Sequence, residues 1–361
     1  MYQTIRSDED IDGQLIERGA DVNAQEGKYG NALQAAVSHE HLDIVKLLIE
    51  QGADVNTQGG RYSNALQAAS FGGHLDIVKL LIEKGADVNA EGGRYVNALQ
   101  AASFHGHLDI VNLLIKKGAD INAQGGDYCN ALQTASYHGH LDIMKLLLEK
   151  GADVNTQGGL YGSALQAASF GGHQDIVKLL VEKQADVNAQ GGIYGNALQV
   201  ASYHGHLDIV KLLIKKGADG CGQGRDYGNA LQAASLGGHL DIVKMLIEKG
   251  EDVNAQGGIY GNALQAASLG GHLDIVKLLI EKGPDINAQG GDYGNALQAA
   301  SSDGHLDIVK LLIEKGADVN AKGGDYGNAL QAASSDGHLD TVKLLIEKGA
   351  DVNAQGGLYG N

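Results

Sequence analysis

The chain has 361 residues, a formal net charge of −17, 54 glycines, one proline and no tryptophan. The acidic balance argues against nucleic acid, which needs a basic footprint, and leaves basic protein surfaces as partners. Two distant cysteines, Cys129 and Cys221, make no disulfide framework, and no apolar stretch is long enough to cross a membrane.

The opening MYQTIRSDEDIDG lacks the apolar core of a signal peptide. With the cysteine usage, this leads us to expect a cytoplasmic protein, with the nucleus also open to it. Residues 1–30 read as a partial repeat that caps the N-terminus. There Asp12 and Gln14 stand where a full unit has Val78 and Leu80, and a polar outer face is what a terminal cap needs.

Tyrosine then sets a period. Tyr29, Tyr62, Tyr95, Tyr128, Tyr161, Tyr194, Tyr227, Tyr260, Tyr293, Tyr326 and Tyr359 follow one another at 33-residue steps, without an insertion. Residues 31–361 therefore hold ten consecutive repeats.

One unit reads NALQAASFGGHLDIVKLLIEKGADVNAEGGRYV, from Asn64 to Val96. Asn64 suits the N-cap of a first helix, whose small apolar face is Ala65, Leu66, Ala68 and Ala69. Gly72-Gly73 ends it. A second helix starts near His74, with Asp76 in its positive first turn and Leu75, Val78, Leu81 and Ile82 at helical spacing. Lys84-Gly85 stops that helix. Asp87 to Tyr95 is too glycine-rich for a helix and reads as a hairpin or long turn. Two helices this short bury their faces only by stacking on further copies, which is the logic of a solenoid.

GHLDIVKLLIEKGADVNA resembles the second helix and exit turn of an ankyrin repeat, at that family's period. The resemblance covers essentially the whole chain. That family's usual Thr-Pro-Leu-His opening is here Asn-Ala-Leu-Gln, as at Asn64 to Gln67, so the array is similar to the NALQAAS-type ankyrin arrays of filamentous fungi. Those are often joined to nucleotide-binding switch domains. The fold this implies is an all-α ankyrin-repeat solenoid, elongated and curved, with paired antiparallel helices plus a hairpin or loop per repeat.

Comparing the copies separates fixed columns from variable ones. The residues before Gly-His include Phe71, Phe104-His105, Tyr137-His138, Phe170, Tyr203-His204, Leu236 and Leu269, then Ser302-Asp303 and Ser335-Asp336. The residue before the column tyrosine runs from Lys28, Arg61 and Arg94 through Asp127, Leu160, Ile193, Asp226 and Ile259 to Asp292 and Asp325. The residue after it varies only near the N-terminus, as Ser63, Val96 and Cys129. In ankyrin proteins these columns correspond to the concave face, so the resemblance implies that they contact a partner. The predicted contacts are Arg61, Phe71, Arg94, Phe104, His105, Asp127, Tyr137, His138, Phe170, Tyr203, His204, Leu236 and Leu269. Aromatic rings there would act as binding hot spots; the alternative is that they pack as satellite core. The basic-to-acidic axis calls for a partner of opposite polarity with an apolar middle.

His39-Glu40-His41, His105-Gly106-His107, His138-Gly139-His140 and His204-Gly205-His206 look like metal pairs. Their second histidine is present in every full unit, which points instead to helix capping and contact between repeats. No metal, cofactor or catalytic residue is therefore expected, and no phosphate loop or nucleophile elbow occurs. The Gly217 to Gly228 stretch GADGCGQGRDYG replaces GADVNAQGGDYG and reads as a weak joint, having lost a valine and gained glycines. Gln184, in place of a helix-ending glycine, and Pro284, in place of alanine, are milder departures. The chain stops at LYGN, where another first helix would begin, which suggests a longer protein or head-to-tail self-association. The expected function is non-enzymatic binding of a protein or peptide in the groove. The alternative is a groove that binds or transforms a small molecule, lined by aromatic and histidine residues.

Overall fold

A computed structural model describes residues 21–25, 27–222, 224 and 226–357. Most of the expected N-terminal cap, Asp12 and Gln14 included, lies outside the described residues, as does Tyr359. The chain forms two compact units, Met1–Leu160 and Tyr161–Asn361. Twenty helices and no strand occur among the described residues; only isolated bridges such as Gly59 with Ser63 and Gly257 with Gly261 close the loops.

Unit 1 carries four helix pairs: α1 (Ala32–Ser38) with α2 (Leu42–Glu50), α3 (Ala65–Gly72) with α4 (Leu75–Glu83), α5 (Ala98–His105) with α6 (Leu108–Lys116), and α7 (Ala131–His138) with α8 (Leu141–Glu149). Unit 2 carries six. These are α9 (Ala164–Gly171) with α10 (Gln174–Glu182), α11 (Ala197–Tyr203) with α12 (Leu207–Lys215), and α13 (Ala230–Gly237) with α14 (Leu240–Glu248). After them come α15 (Ala263–Leu269) with α16 (Leu273–Glu281), α17 (Ala296–Ser302) with α18 (Leu306–Glu314), and α19 (Ala329–Ser335) with α20 (Leu339–Glu347). Within each unit first helices pack closely on first helices, and second helices meet one another more thinly. Leu66, Ala68 and Ala69 of the first helix and Ile77, Val78 and Leu81 of the second are the buried set, repeated down each unit. Ile77 replaces the expected Leu75 in that set; Leu75 and Ile82 are half-buried.

Each residue of Asn-Ala-Leu-Gln has a physical task. Asn262 Oδ1 caps α15 by accepting the Gln265 backbone N–H at 2.9 Å, and Gln265 Oε1 accepts the Asn262 N–H at 2.6 Å, a closed capping box. The Gln265 amide then donates to the carbonyls of Ala288, Gly290 and Gly294 in the loop that ends its own unit. One buried side chain thus satisfies its own helix and three backbone acceptors of the loop that follows the helix pair. Gln34 and Gln298 do the same. Asparagine makes a second tie on the other side of the loop: Asn56 donates to the Gly85 carbonyl at 3.0 Å and accepts the Asp87 N–H at 2.8 Å.

The helix ends follow backbone rules. Gly73, at the end of α3, and Gly85, after α4, lie at φ +80° and +90°, where glycine has no steric cost. Gln184 occupies the same left-handed conformation at φ +67° without that freedom. The residue after the column tyrosine is also left-handed in every copy described, including Ser63, Val96 and Cys129 at φ +72°, +62° and +70°. Ser63 and Cys129 are buried. That column is therefore set by the backbone and is not part of an exposed face.

The Gly217–Gly228 stretch differs in a specific way. Cys221 replaces the asparagine of the tie, and its thiol instead donates to Glu251 Oε2 at 3.5 Å. Glu251 stands where every other repeat but that of Pro284 has alanine, and its carboxylate lies where a Cβ on Gly220 would fall. The side chain lost at Gly220 is replaced by one gained 31 residues later. Pro284 takes the same column as Glu251 and is half-buried.

Candidate functional site

The ends of the first helices and the loop tips place the variable residues together. In unit 1, the Phe71 ring lies 5.0 Å from Tyr62 and 4.8 Å from Tyr95. Phe104 lies 5.1 Å from Tyr95 and 5.8 Å from Tyr128, and Tyr137 lies 5.3 Å from Tyr128. Imidazoles cover these rings: His105 on Phe71 at 4.3 Å, His138 on Phe104 at 4.1 Å. Phe71, Phe104, Tyr137 and His138 are half-buried, and His105 is exposed. At the tips, Arg61 sits over Tyr62 at 5.5 Å and Arg94 over Tyr95 at 6.0 Å, in cation–π contact. Arg94 also reaches Asp127 at 3.8 Å. Leu160, the last tip of this unit, is 44% exposed.

In unit 2, Phe170 lies 5.1 Å from Tyr161 and 4.2 Å from His204, and Tyr203 lies 4.4 Å from Tyr227. Tyr194, Tyr227, Tyr260, Tyr293 and Tyr326 form a ladder of rings at 5.8–6.4 Å steps. The tips are tied by backbone: Ile259 N–H to Asp226 O, Asp292 N–H to Ile259 O, Asp325 N–H to Asp292 O. Phe170, Tyr203, His204 and Leu236 are half-buried, and Ile193 at its tip is 41% exposed. Leu269 departs from expectation. It is 8% exposed and belongs to the core, as does Ser302 in the same column.

The ring column thus joins the two readings of it: each ring packs against the tyrosines around it while keeping part of its surface in solvent. Leu160 and Ile193 belong to the exposed face as well. Their signal in the sequence is an aliphatic residue at a loop tip, where a solvated charge would be expected.

The histidines divide by column. His107, His140 and His206 place Nε2 at 3.1 Å from the carbonyls of Phe71, Phe104 and Phe170, a contact between repeats that fixes the proton on Nε2. They occupy the N-cap position of the second helix, but their side chains make no capping hydrogen bond. The expected capping role is therefore replaced by a tie to the preceding repeat. The paired rings stand about 6 Å apart, His105 from His107 at 5.9 Å and His204 from His206 at 6.1 Å, with the second ring already committed. A shared zinc would need both nitrogens within about 2.1 Å of it. Among the described residues no group of three or more His, Cys, Asp or Glu side chains could hold a metal. Burial lowers the pKa of His105 and His204, helped by His107 and His140 in one case and His206 and His239 in the other. Burial likewise raises the phenols of Tyr95, Tyr128, Tyr227, Tyr260 and Tyr293, so these five stay protonated and can donate. Among the described residues no helix is long and apolar enough to cross a membrane.

No curated protein matches the chain. A family model for ankyrin repeats in three copies matches it over residues 6–92, 60–125, 98–191, 165–257, 198–290 and 263–356. Helix pairs at a fixed period, bonded repeat to repeat and matched by that model along nearly all their length, lead to one conclusion: the chain belongs to the ankyrin-repeat family.

Proposed function

We propose that this protein is a non-enzymatic recognition module that binds a protein or peptide partner along the groove between its first-helix ends and loop tips. Ankyrin repeats are generally protein-interaction modules. The observation that carries the reading is the company the rings keep. Half-exposed Phe71, Phe104 and Tyr137 in unit 1, and Phe170 and Tyr203 in unit 2, share their faces with the exposed aliphatic tips Leu160 and Ile193. Solvent-facing apolar groups of this kind are costly in a loop that has only to be soluble, and aromatic residues are enriched in interfaces. Serine at Ser302 and Ser335 shows that the column does not require a ring for folding.

The test is affinity capture from the source lysate with the natural chain and with Phe104→Ser/Tyr137→Ser. Captured proteins should drop out with the double variant while circular dichroism is unchanged. Equal capture by both would refute the reading.

A further inference from the structure

The tyrosine column is dressed differently along the chain. In unit 1, Lys28, Arg61 and Arg94 precede the column tyrosine, and each cation lies over the following ring, at 5.5, 5.5 and 6.0 Å. At Tyr293 and Tyr326 in unit 2 the preceding residue is Asp292 or Asp325. No basic residue precedes the ring at either position. We propose that this part of the tyrosine ladder receives a cation from outside: a guanidinium or ammonium side chain of a basic peptide segment. The proposal rests on the protein-binding reading above and names the chemistry of the partner.

Three observations fit that occupant. The rings of Tyr260, Tyr293 and Tyr326 are half-buried and follow one another at 6.3 Å, the first pair within 11° of parallel. A cleft of about 150 Å³ opens beside them, lined by Ile259, Asp292, Tyr293, Asp325 and Tyr326. That is below the ~300–1,000 Å³ of small-molecule pockets and of the order of one long side chain. Asp303 and Asp336, at the ends of α17 and α19, face the same rings: Asp303 adds to the negative field at Tyr293, and Tyr326 Oη lies 3.5 Å from Asp336. No ion pair joins Asp292, Asp303, Asp325 or Asp336 to a cation among the described residues.

The chemistry is then complementary on each side. Carboxylates attract the charge, the ring faces bind it through their quadrupole, and Ile259 meets the aliphatic stem. An acidic or uncharged segment meets like charge or gains nothing, so the same residues select against it.

The experiment is isothermal titration of the full chain with the acetylated pentapeptide Gly-Arg-Gly-Arg-Gly in about 150 mM salt, where long-range attraction is screened. Peptides carrying lysine or citrulline in place of arginine are the comparison arms. The arginine peptide should bind and the citrulline peptide should be weaker by about tenfold, the loss expected for a cation–π and carboxylate contact. Asp292→Asn/Asp325→Asn should lose a similar factor, and so should Tyr293→Leu/Tyr326→Leu. Tyr293→Phe/Tyr326→Phe keeps the rings and should stay within about threefold, which separates loss of binding from loss of folding. The lysine peptide decides between ammonium and guanidinium, and binding of either supports the proposal. Equal binding of the citrulline peptide would overturn it. So would binding that ignores the leucine pair, or that falls equally with Asp241→Asn/Asp274→Asn, which removes the same charge from the second helices. Such a failure, beside ring-dependent capture at Phe104 and Tyr137, would leave the protein-binding reading standing.

Discussion

The Cys221 thiol donates to the Glu251 carboxylate at 3.5 Å, at a joint where neighbouring repeats are tied by asparagine. Asn188 bonds the Gly217 carbonyl and the Asp219 N–H, and Asn287 bonds those of Gly316 and Asp318. Cys221 offers one weak donor instead of an amide's donor and acceptor. Replacing Gly220, Cys221 and Glu251 by Val, Asn and Ala should restore two hydrogen bonds, each worth about 0.5–1.5 kcal/mol. Hydrogen exchange over residues 219–255 should slow in the triple variant. Unchanged exchange would remove the weak joint from the account. Gly220→Val alone should help less, because its side chain must first displace the Glu251 carboxylate.

Gln184 is exposed and left-handed at φ +67°. Gln184→Gly should stabilise the protein by about 1 kcal/mol, since an L side chain in that conformation costs roughly 1–2 kcal/mol and glycine gives part of it back through its freer unfolded chain. A chemical denaturation midpoint that rises without a change of slope would show it.

The Gln265 side chain closes a capping box and serves three carbonyls of the loop that ends its unit. Gln265→Leu keeps the volume and removes every one of these bonds. Buried acceptors left unpaired cost about 1–3 kcal/mol each before relaxation, so a loss of at least 2 kcal/mol is expected. Thermal unfolding would measure it, and a loss below about 0.5 kcal/mol, the worth of one weak hydrogen bond, would count against the role given to this column.

His105 and His204 have pKa values held below the usual histidine value of about 6.5, first by burial and then by neighbouring histidines. The unfolded chain therefore binds protons more readily than the folded one at these sites. Their contribution is complete above about pH 6.5 and is lost as pH falls below it toward the depressed folded values. Stability measured from pH 7.5 down to pH 5 should fall, and His204→Phe should flatten part of that slope. A slope unchanged by the substitution would place the titration elsewhere.

Much of the fold is legible in the sequence because its signals are local. Asn64 as a cap, Gly73 and Gly85 as stops and the 33-residue tyrosine step lie within a single unit, and the structure follows them. The features that the sequence does not display depend on residues far apart in the chain, which folding alone brings together. The glutamine that serves three carbonyls at the far end of its own unit and Glu251 filling the space of Gly220 are of this kind; the contact between repeats expected of the histidine column takes the form of a bond to a carbonyl of the preceding repeat. The face was legible as a set of variable columns. Which members are exposed was not, because Leu236 and Leu269 read alike in sequence and only Leu269 is sealed in the core.

The most direct measurement is site-specific photocrosslinking. A photoreactive phenylalanine analogue placed at Tyr137 or Tyr203 on the ring face, or at Lys79 or Lys211 on the exposed side of the second helices, reports which surface touches a partner. The account predicts crosslinks to the same partner from Tyr137 and Tyr203 and none from Lys79 or Lys211. Crosslinks from the lysine positions with none from the ring face would contradict it.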